Sequence, residues 1–154
     1  MRRLAIALCA GHFLLSGATT IRAQDSSYEE NALRVESHIG DLQIVRGISS
    51  TVVARQRLFR APKVANLVSS SERALAEARV FERDYKPGLY MVSVGIAAFG
   101  AALGVSRMSD INNAIPSALT AAGTLLIGYG GSKLESADRA LSRAIWWYNR
   151  DLKR

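Results

Sequence analysis

Thiols and imidazoles are scarce in this 154-residue chain, which has one cysteine, Cys9, and two histidines, His12 and His38. A lone cysteine excludes an intramolecular disulfide framework and a Cys-based metal site. His12 lies in the leader described below, and without it His38 has no second imidazole with which to bind a metal. Proline is limited to Pro62, Pro87 and Pro116, so few elements are forced to stop. No alternation of apolar and polar residues persists over a useful length, so no strand is expected and the fold class is all-α.

The chemistry of a catalyst is missing as well. His38 has Asp41 one helical turn on, but no Ser, Thr or Cys nucleophile completes a triad, and it reads as a solvated helix-surface histidine. Gly128-Tyr129-Gly130-Gly131 follows no strand and is not continued by Gly-Lys-Ser or Gly-Lys-Thr, so it is not a phosphate loop. The net charge of +7 is spread among acidic residues and forms no basic stripe, which argues against nucleic acid. The sequence therefore predicts no catalytic, cofactor-binding or metal-binding residues, and no enzyme.

Residues 1–23 have the three-part pattern of a secretory signal peptide. Arg2 and Arg3 precede the apolar run Leu4 to Leu15, and Ser16 to Ala23 is small and polar. Ala23 suits the position before a cut, with Ile21 two residues earlier. An uncleaved signal anchor is the alternative, because Arg22 sits beside the cut. The bulky Leu8 argues against lipidation of Cys9. Cleavage removes the only cysteine and three basic residues, Arg2, Arg3 and Arg22, and leaves His38 as the single histidine.

The most informative positive feature is a pair of charge-free stretches, Gly88 to Ser106 and Ile111 to Ser132, parted by Arg107, Met108, Ser109 and Asp110. Each is close to the roughly 20 residues needed to cross a bilayer, and the short connection makes them a helical hairpin. Residues 87–132 are thus expected to form a hydrophobic hairpin of helices at about 88–106 and 111–132. An exported helical region (24–86) precedes it and a C-terminal amphipathic helix (133–154) follows it.

Small residues are not scattered in the two stretches. Ser93, Ala97, Gly100 and Gly104 in the first, and Ser117, Ala121, Thr124, Gly128 and Gly131 in the second, step by threes and fours. That is the repeat of a left-handed helix pair. Inside lipid, close approach along small side chains supplies the contact that hydrophobicity cannot. These nine residues are the expected hairpin-packing surface, with Val92, Phe99, Leu103, Leu119, Leu126 and Tyr129 facing outward.

Three S-x-x-E capping boxes, Ser26 with Glu29, Ser69 with Glu72 and Ser132 with Glu135, mark helix starts. A long amphipathic helix is expected from about Ser27 to Arg60, with Val35, Ile39, Leu42, Val45, Ser49 and Val53 on one stripe and Pro62 beyond its end. Gly40 and Gly47 inside it cost roughly 1 kcal/mol each. They are either a close-approach face or weak points. A shorter helix over about Ser70 to Tyr85 follows, broken by Pro87 and Gly88.

The last helix, from about Ser132, carries Leu134, Ala137, Leu141, Ala144, Tyr148 and Leu152 on its apolar face. Trp146, Trp147 and Tyr148 are candidate interface or partner contacts. A helix rises about 1.5 Å per residue, so the two indoles stand roughly 21 Å beyond Ser132. They reach headgroups only if the helix lies on the surface, and otherwise pack against the first helix.

The order of export signal, helical region, Gly-rich hairpin and terminal Ala144-Ile145-Trp146-Trp147-Tyr148-Asn149 helix resembles uncharacterised exported bacterial proteins, and the hairpin is similar to glycine-zipper segments. The resemblance implies membrane association and helix packing, with no substrate, cofactor or catalytic residue to carry over.

These features describe a non-enzymatic, exported, membrane-associated helical protein facing the periplasm or cell exterior, with a structural or partner-binding role. Its partners would be membrane lipid, a homo-oligomer or another protein. The alternative is a membrane-active oligomer or pore former built from Gly-striped hairpins. Topology holds a conflict: an exported start leaves Arg107 on the cytoplasmic side and Arg79, Arg83, Lys86, Lys133, Arg139 and Arg143 outside, opposite to the positive-inside bias. Either the signal overrides that bias or the hairpin enters a different membrane or assembly.

Overall fold

The computed structural model describes residues 26–38, 41–56, 60–107 and 113–154. The leader assigned to residues 1–23 lies outside them. The described chain is mostly helical, with one small sheet. A helical turn at 26–31 (α1) leads into three strands, β1 (Leu33–His38), β2 (Asp41–Arg46) and β3 (Thr51–Arg55). Then come a short α2 (Val64–Leu67) and two long helices, α3 (Glu72–Val105) and α4 (Ala114–Asp151).

The strands correct the expected long helix over Ser27 to Arg60. They form an antiparallel meander in the order β1-β2-β3, with Leu33 opposite Arg46 and Ile44 opposite both Val35 and Ala54. A register shift between Ile44 and Val45 allows both of these neighbours to be buried. Val35, Ile44, Val45, Val52 and Val53 suit strands because branching at Cβ restricts χ1 and fits a pleated surface. Gly47, expected inside a helix, instead starts the β2–β3 turn with φ 69°. A Cβ there would lie 2.6 Å from the Glu30 carbonyl oxygen, so both the backbone angle and the space require glycine. Gly40 lies outside the described residues.

Neither expected break in the long helices occurs. α3 runs through Pro87 and Gly88, joining the shorter helix to the first charge-free stretch. Proline removes one i→i−4 bond, a cost of about 3 kcal/mol in a helix interior. Here Pro87 is exposed, while Asp84, Tyr85 and Gly88 around it are buried and hold the helix in place. α4 runs through Ser132, whose hydroxyl donates to the Tyr129 carbonyl at 2.7 Å and caps nothing. At the start of α3 the cap is Ser71, not Ser69: its Oγ accepts from the Ala74 N–H at 3.3 Å.

The core occupies one end of the α3–α4 hairpin. Leu33 and Ile44 from the sheet, with Val64 and Val68, pack on Ala74, Ala78 and Phe81 of α3 and Ala140, Leu141 and Ala144 of α4. Polar ties close this base. Asn149 Nδ2 donates to the Leu33 carbonyl and its Oδ1 accepts from the Leu33 N–H, both at 2.8 Å, so one amide satisfies the edge of β1. Ser71 Oγ donates to Asp151 Oδ2 at 2.5 Å, and the Ala65 N–H donates to Glu82 Oε1 at 3.0 Å. Gln56 Nε2 donates to the Tyr85 hydroxyl, whose pKa is raised by burial and, secondarily, by the Asp138 charge. Beyond this base the two helices continue alone as a shaft.

Candidate functional site

Along the shaft the buried residues are all small and recur every seventh position. On α3 they are Gly88, Gly95 and Ala102, and on α4 Gly123 and Gly130, after which Ala137 and Ala144 continue the series into the base. The glycines meet in pairs. A Cβ on Gly95 would come 2.8 Å from the Gly123 carbonyl oxygen, and one on Gly130 would come 2.8 Å from the Gly88 carbonyl oxygen. Only hydrogen side chains allow backbones this close, and the seven-residue repeat keeps them facing as the helices wind around each other.

This is a different face from the one read in the sequence. At Gly100, Gly104, Gly128 and Gly131 an added Cβ would meet nothing within 4 Å. Ala97, Ser117, Ala121 and Thr124 are exposed and Ser93 is half-buried. The structure thus leaves the expected packing surface open and seats the helices on a parallel set of small residues. Gly88-x6-Gly95-x6-Ala102 and Gly123-x6-Gly130-x6-Ala137 were the available signal.

The rest of the shaft surface is apolar and open. Ile96, Leu103, Ile115 and Leu125 are exposed, Leu125 by 74%, and Gly88 to Ser106 and Ala114 to Ser132 contain no charged residue. Ile96, Phe99, Gly100, Leu103 and Ile127 line a shallow groove of about 390 Å³. Among the described residues one helix, α3, is long and apolar enough to cross a membrane. α4 is interrupted by Thr120, Thr124, Gly128, Gly130, Gly131 and Ser132, and does not reach the same apolarity.

Where the shaft meets the base, the surface changes character within two turns. Tyr90 and Tyr129 are exposed on the two helices. Lys86 lies one turn below Tyr90, its Nζ 5.9 Å from the ring centroid, and Lys133 lies one turn below Tyr129. Asp84 is buried at this level and ties the helices together. It accepts from Lys133 Nζ at 3.1 Å and Ser136 Oγ at 3.3 Å on α4, and from Arg83 Nε at 3.0 Å and Nη2 at 3.2 Å on its own helix. The hydrogen bonds from Arg83, with Lys133 adding to them, outweigh desolvation and hold the Asp84 carboxyl at about 2, below its ordinary value. Asp84 was not singled out from sequence, although it is the last acid before the first charge-free stretch.

At the far end of the base, Trp146, Trp147 and Tyr148 point three ways. Tyr148 is buried in the core, Trp147 is half-buried under the Arg73 guanidinium at 4.8 Å, and Trp146 is 55% exposed. The expected packing of the indoles on a first helix is replaced by this contact with α3. His38 closes β1, opposite Asp41 in the strand register. Among the described residues no three His, Cys, Asp or Glu side chains converge as a metal site. Comparison with protein-family models, curated proteins and solved structures finds no match.

Proposed function

We propose that the shaft inserts into a membrane and that the sheet-and-helix base stands at its surface as a non-enzymatic, partner-binding module. One coincidence carries this reading: most of the exposed large apolar side chains lie on the segment without charge, and that segment is bounded at the base by tyrosine and lysine on both helices. From Gly88 to Val105 the helix rises about 27 Å, against a hydrocarbon core of about 30 Å. Tyrosine favours the membrane–water boundary, and a lysine such as exposed Lys86 extends its amine toward headgroups, while the Lys133 amine is held by Asp84. In water, an apolar surface of this extent would drive association instead. Both flanks of the hairpin build one base, so both lie on the same side. Export by the leader and a periplasmic or external face for the base belong to the same proposal.

Leu125→Lys tests it. Near the middle of a bilayer, lysine costs about 2.5 to 3.5 kcal/mol, so the variant is expected to be released from carbonate-washed membranes that retain the parent chain. Parent chain released as readily as the variant would refute insertion. The open faces of Gly100, Gly104, Gly128 and Gly131 favour a second reading, a membrane-embedded oligomer that permeabilises lipid. That reading requires dye-loaded liposomes to leak when the protein is added.

A further inference from the structure

Pro87 and Gly88 on α3 stand at the same height as Gly128, Gly130 and Gly131 on α4. Contact fixes that height: a Cβ on Gly88 would come 3.0 Å from the Gly130 carbonyl oxygen, and one on Gly130 would come 2.8 Å from the Val92 nitrogen. Each helix is weakest here. Pro87 has no N–H to give the Arg83 carbonyl, and its ring crowds that carbonyl, a principal cause of sharp helix bends. On α4, three of four consecutive residues are glycine, whose backbone a helix restrains at the greatest entropic cost. No other four-residue stretch of α3 or α4 holds two glycines, and no other proline lies beyond a first turn.

The ties on the two sides of this height are unequal. Just below it Asp84 joins the helices through Lys133 at 3.1 Å and Ser136 at 3.3 Å, and Phe81, Tyr85 and Leu141 are buried in the core of the base. Above it the buried residues are Gly95, Ala102 and Gly123, too small to interlock. Gly88 and Gly130 meet backbone to backbone, with no side chain of either to key into the facing helix.

We propose that this height is a hinge, about which the shaft swings as one unit against a fixed base. The two helices bend together because Gly95 and Gly123 pair them above it and Asp84 pairs them below it. Pro87 is exposed, and Gly128 and Gly131 have open space beside them, so a bend compresses no packed side chain at these positions. The lever is long. From Gly88 to Ala101 the helix rises about 20 Å, so a bend of about 20° carries Ala101 about 7 Å sideways. Base and shaft can then take different tilts. The hinge goes beyond the membrane reading and stands without it, because it is built from the backbones of the two helices.

Pulsed electron double resonance on the full chain in detergent micelles reads the swing as the width of a distance distribution, with Cys9→Ser removing the native thiol. Nitroxides at Asn66→Cys on α2 or Ser142→Cys on α4 are each paired with one at Ala101→Cys on the shaft, all three positions being exposed. The two base sites lie on different elements and report swings in different directions. Asn66→Cys with Ser142→Cys is the control within the base. At least one shaft pair is expected to be twice as broad as the control. Pro87→Ala combined with Gly128→Ala and Gly131→Ala should narrow it to the control width and leave the control unchanged. All three substitutions raise helix propensity, and the control pair reports directly that the base stays folded. Shaft pairs as narrow as the control in the parent chain, or no narrower in the triple variant, overturn the hinge. A control pair that narrows along with them would place the motion inside the base and overturn it too.

Discussion

Alanine substitutions at Gly130 and Gly128, two residues apart on α4, should change stability in opposite directions. At Gly130 a Cβ would sit 2.8 Å from the Gly88 carbonyl oxygen, 2.8 Å from the Val92 nitrogen and 2.9 Å from Met91 Cβ. The first two are backbone atoms of α3 and cannot swing aside. Restoring an ordinary separation of about 3.5 Å moves the helices apart by about 0.7 Å, which forfeits a quarter or more of the dispersion attraction of neighbouring pairs. Overpacking of this kind costs about 1 to 3 kcal/mol, while Ala gains about 1 kcal/mol over Gly in a helix interior. The net loss for Gly130→Ala therefore reaches about 2 kcal/mol at the upper end, a fall of up to roughly 8 °C in Tm for a chain of this size. At Gly128 nothing lies within 4 Å, so only the propensity gain remains. Its Tm should rise by about 2 to 4 °C. Far-UV circular dichroism melting of the full chain in detergent micelles measures both. If Gly130→Ala melts at or above Gly128→Ala, the seven-residue glycine pairing is not what holds the shaft together.

Asn149→Leu leaves the Leu33 N–H and C=O buried without partners, at about 1 to 3 kcal/mol for each. It should lower Tm and speed hydrogen exchange at the Leu33 amide, and exchange as slow as in the parent would count against the clasp. Asp84 has a folded pKa of about 2 against an ordinary 3.8. Its contribution is therefore complete above about pH 4 and disappears as pH falls toward 2. Asp84→Asn should lower stability near neutral pH and flatten the acid decline between pH 4 and 2. Parallel pH profiles for the two proteins would exclude this role.

The helical content, the hairpin and its charge-free extent were legible in the sequence because long apolar segments without charge leave few alternatives. The meander was not. Val35, Leu42 and Val45 fit a helical stripe as well as short strands, and five- or six-residue strands are too brief for alternation to stand out. Gly47 was the better clue, since a glycine at a turn and a glycine that merely weakens a helix look alike until the chain on either side is paired. The packing face of the shaft was ambiguous for a different reason. Glycine, alanine and serine are so abundant there that several registers carry small residues. The choice among them is made in the base, where Phe81, Ala78 and Ala140 must face the core and so set the rotation of both helices. Asn149 gave no local signal because its partner, Leu33, is 116 residues away.

That separation has a consequence for the order of assembly. Leu33 leads the sheet and Asn149 lies in the last turns of α4, so the edge of β1 stays open until the chain has run out along the shaft, turned and come back. Closing so long a loop carries an entropic cost that contacts within the meander alone do not offset. The outer edge of β1 is therefore completed only when α4 arrives, although the meander itself is made early. Until α4 arrives, its exposed edge is a surface for a chaperone to guard, and a chain stalled after α3 would present an unpaired strand beside an apolar helix.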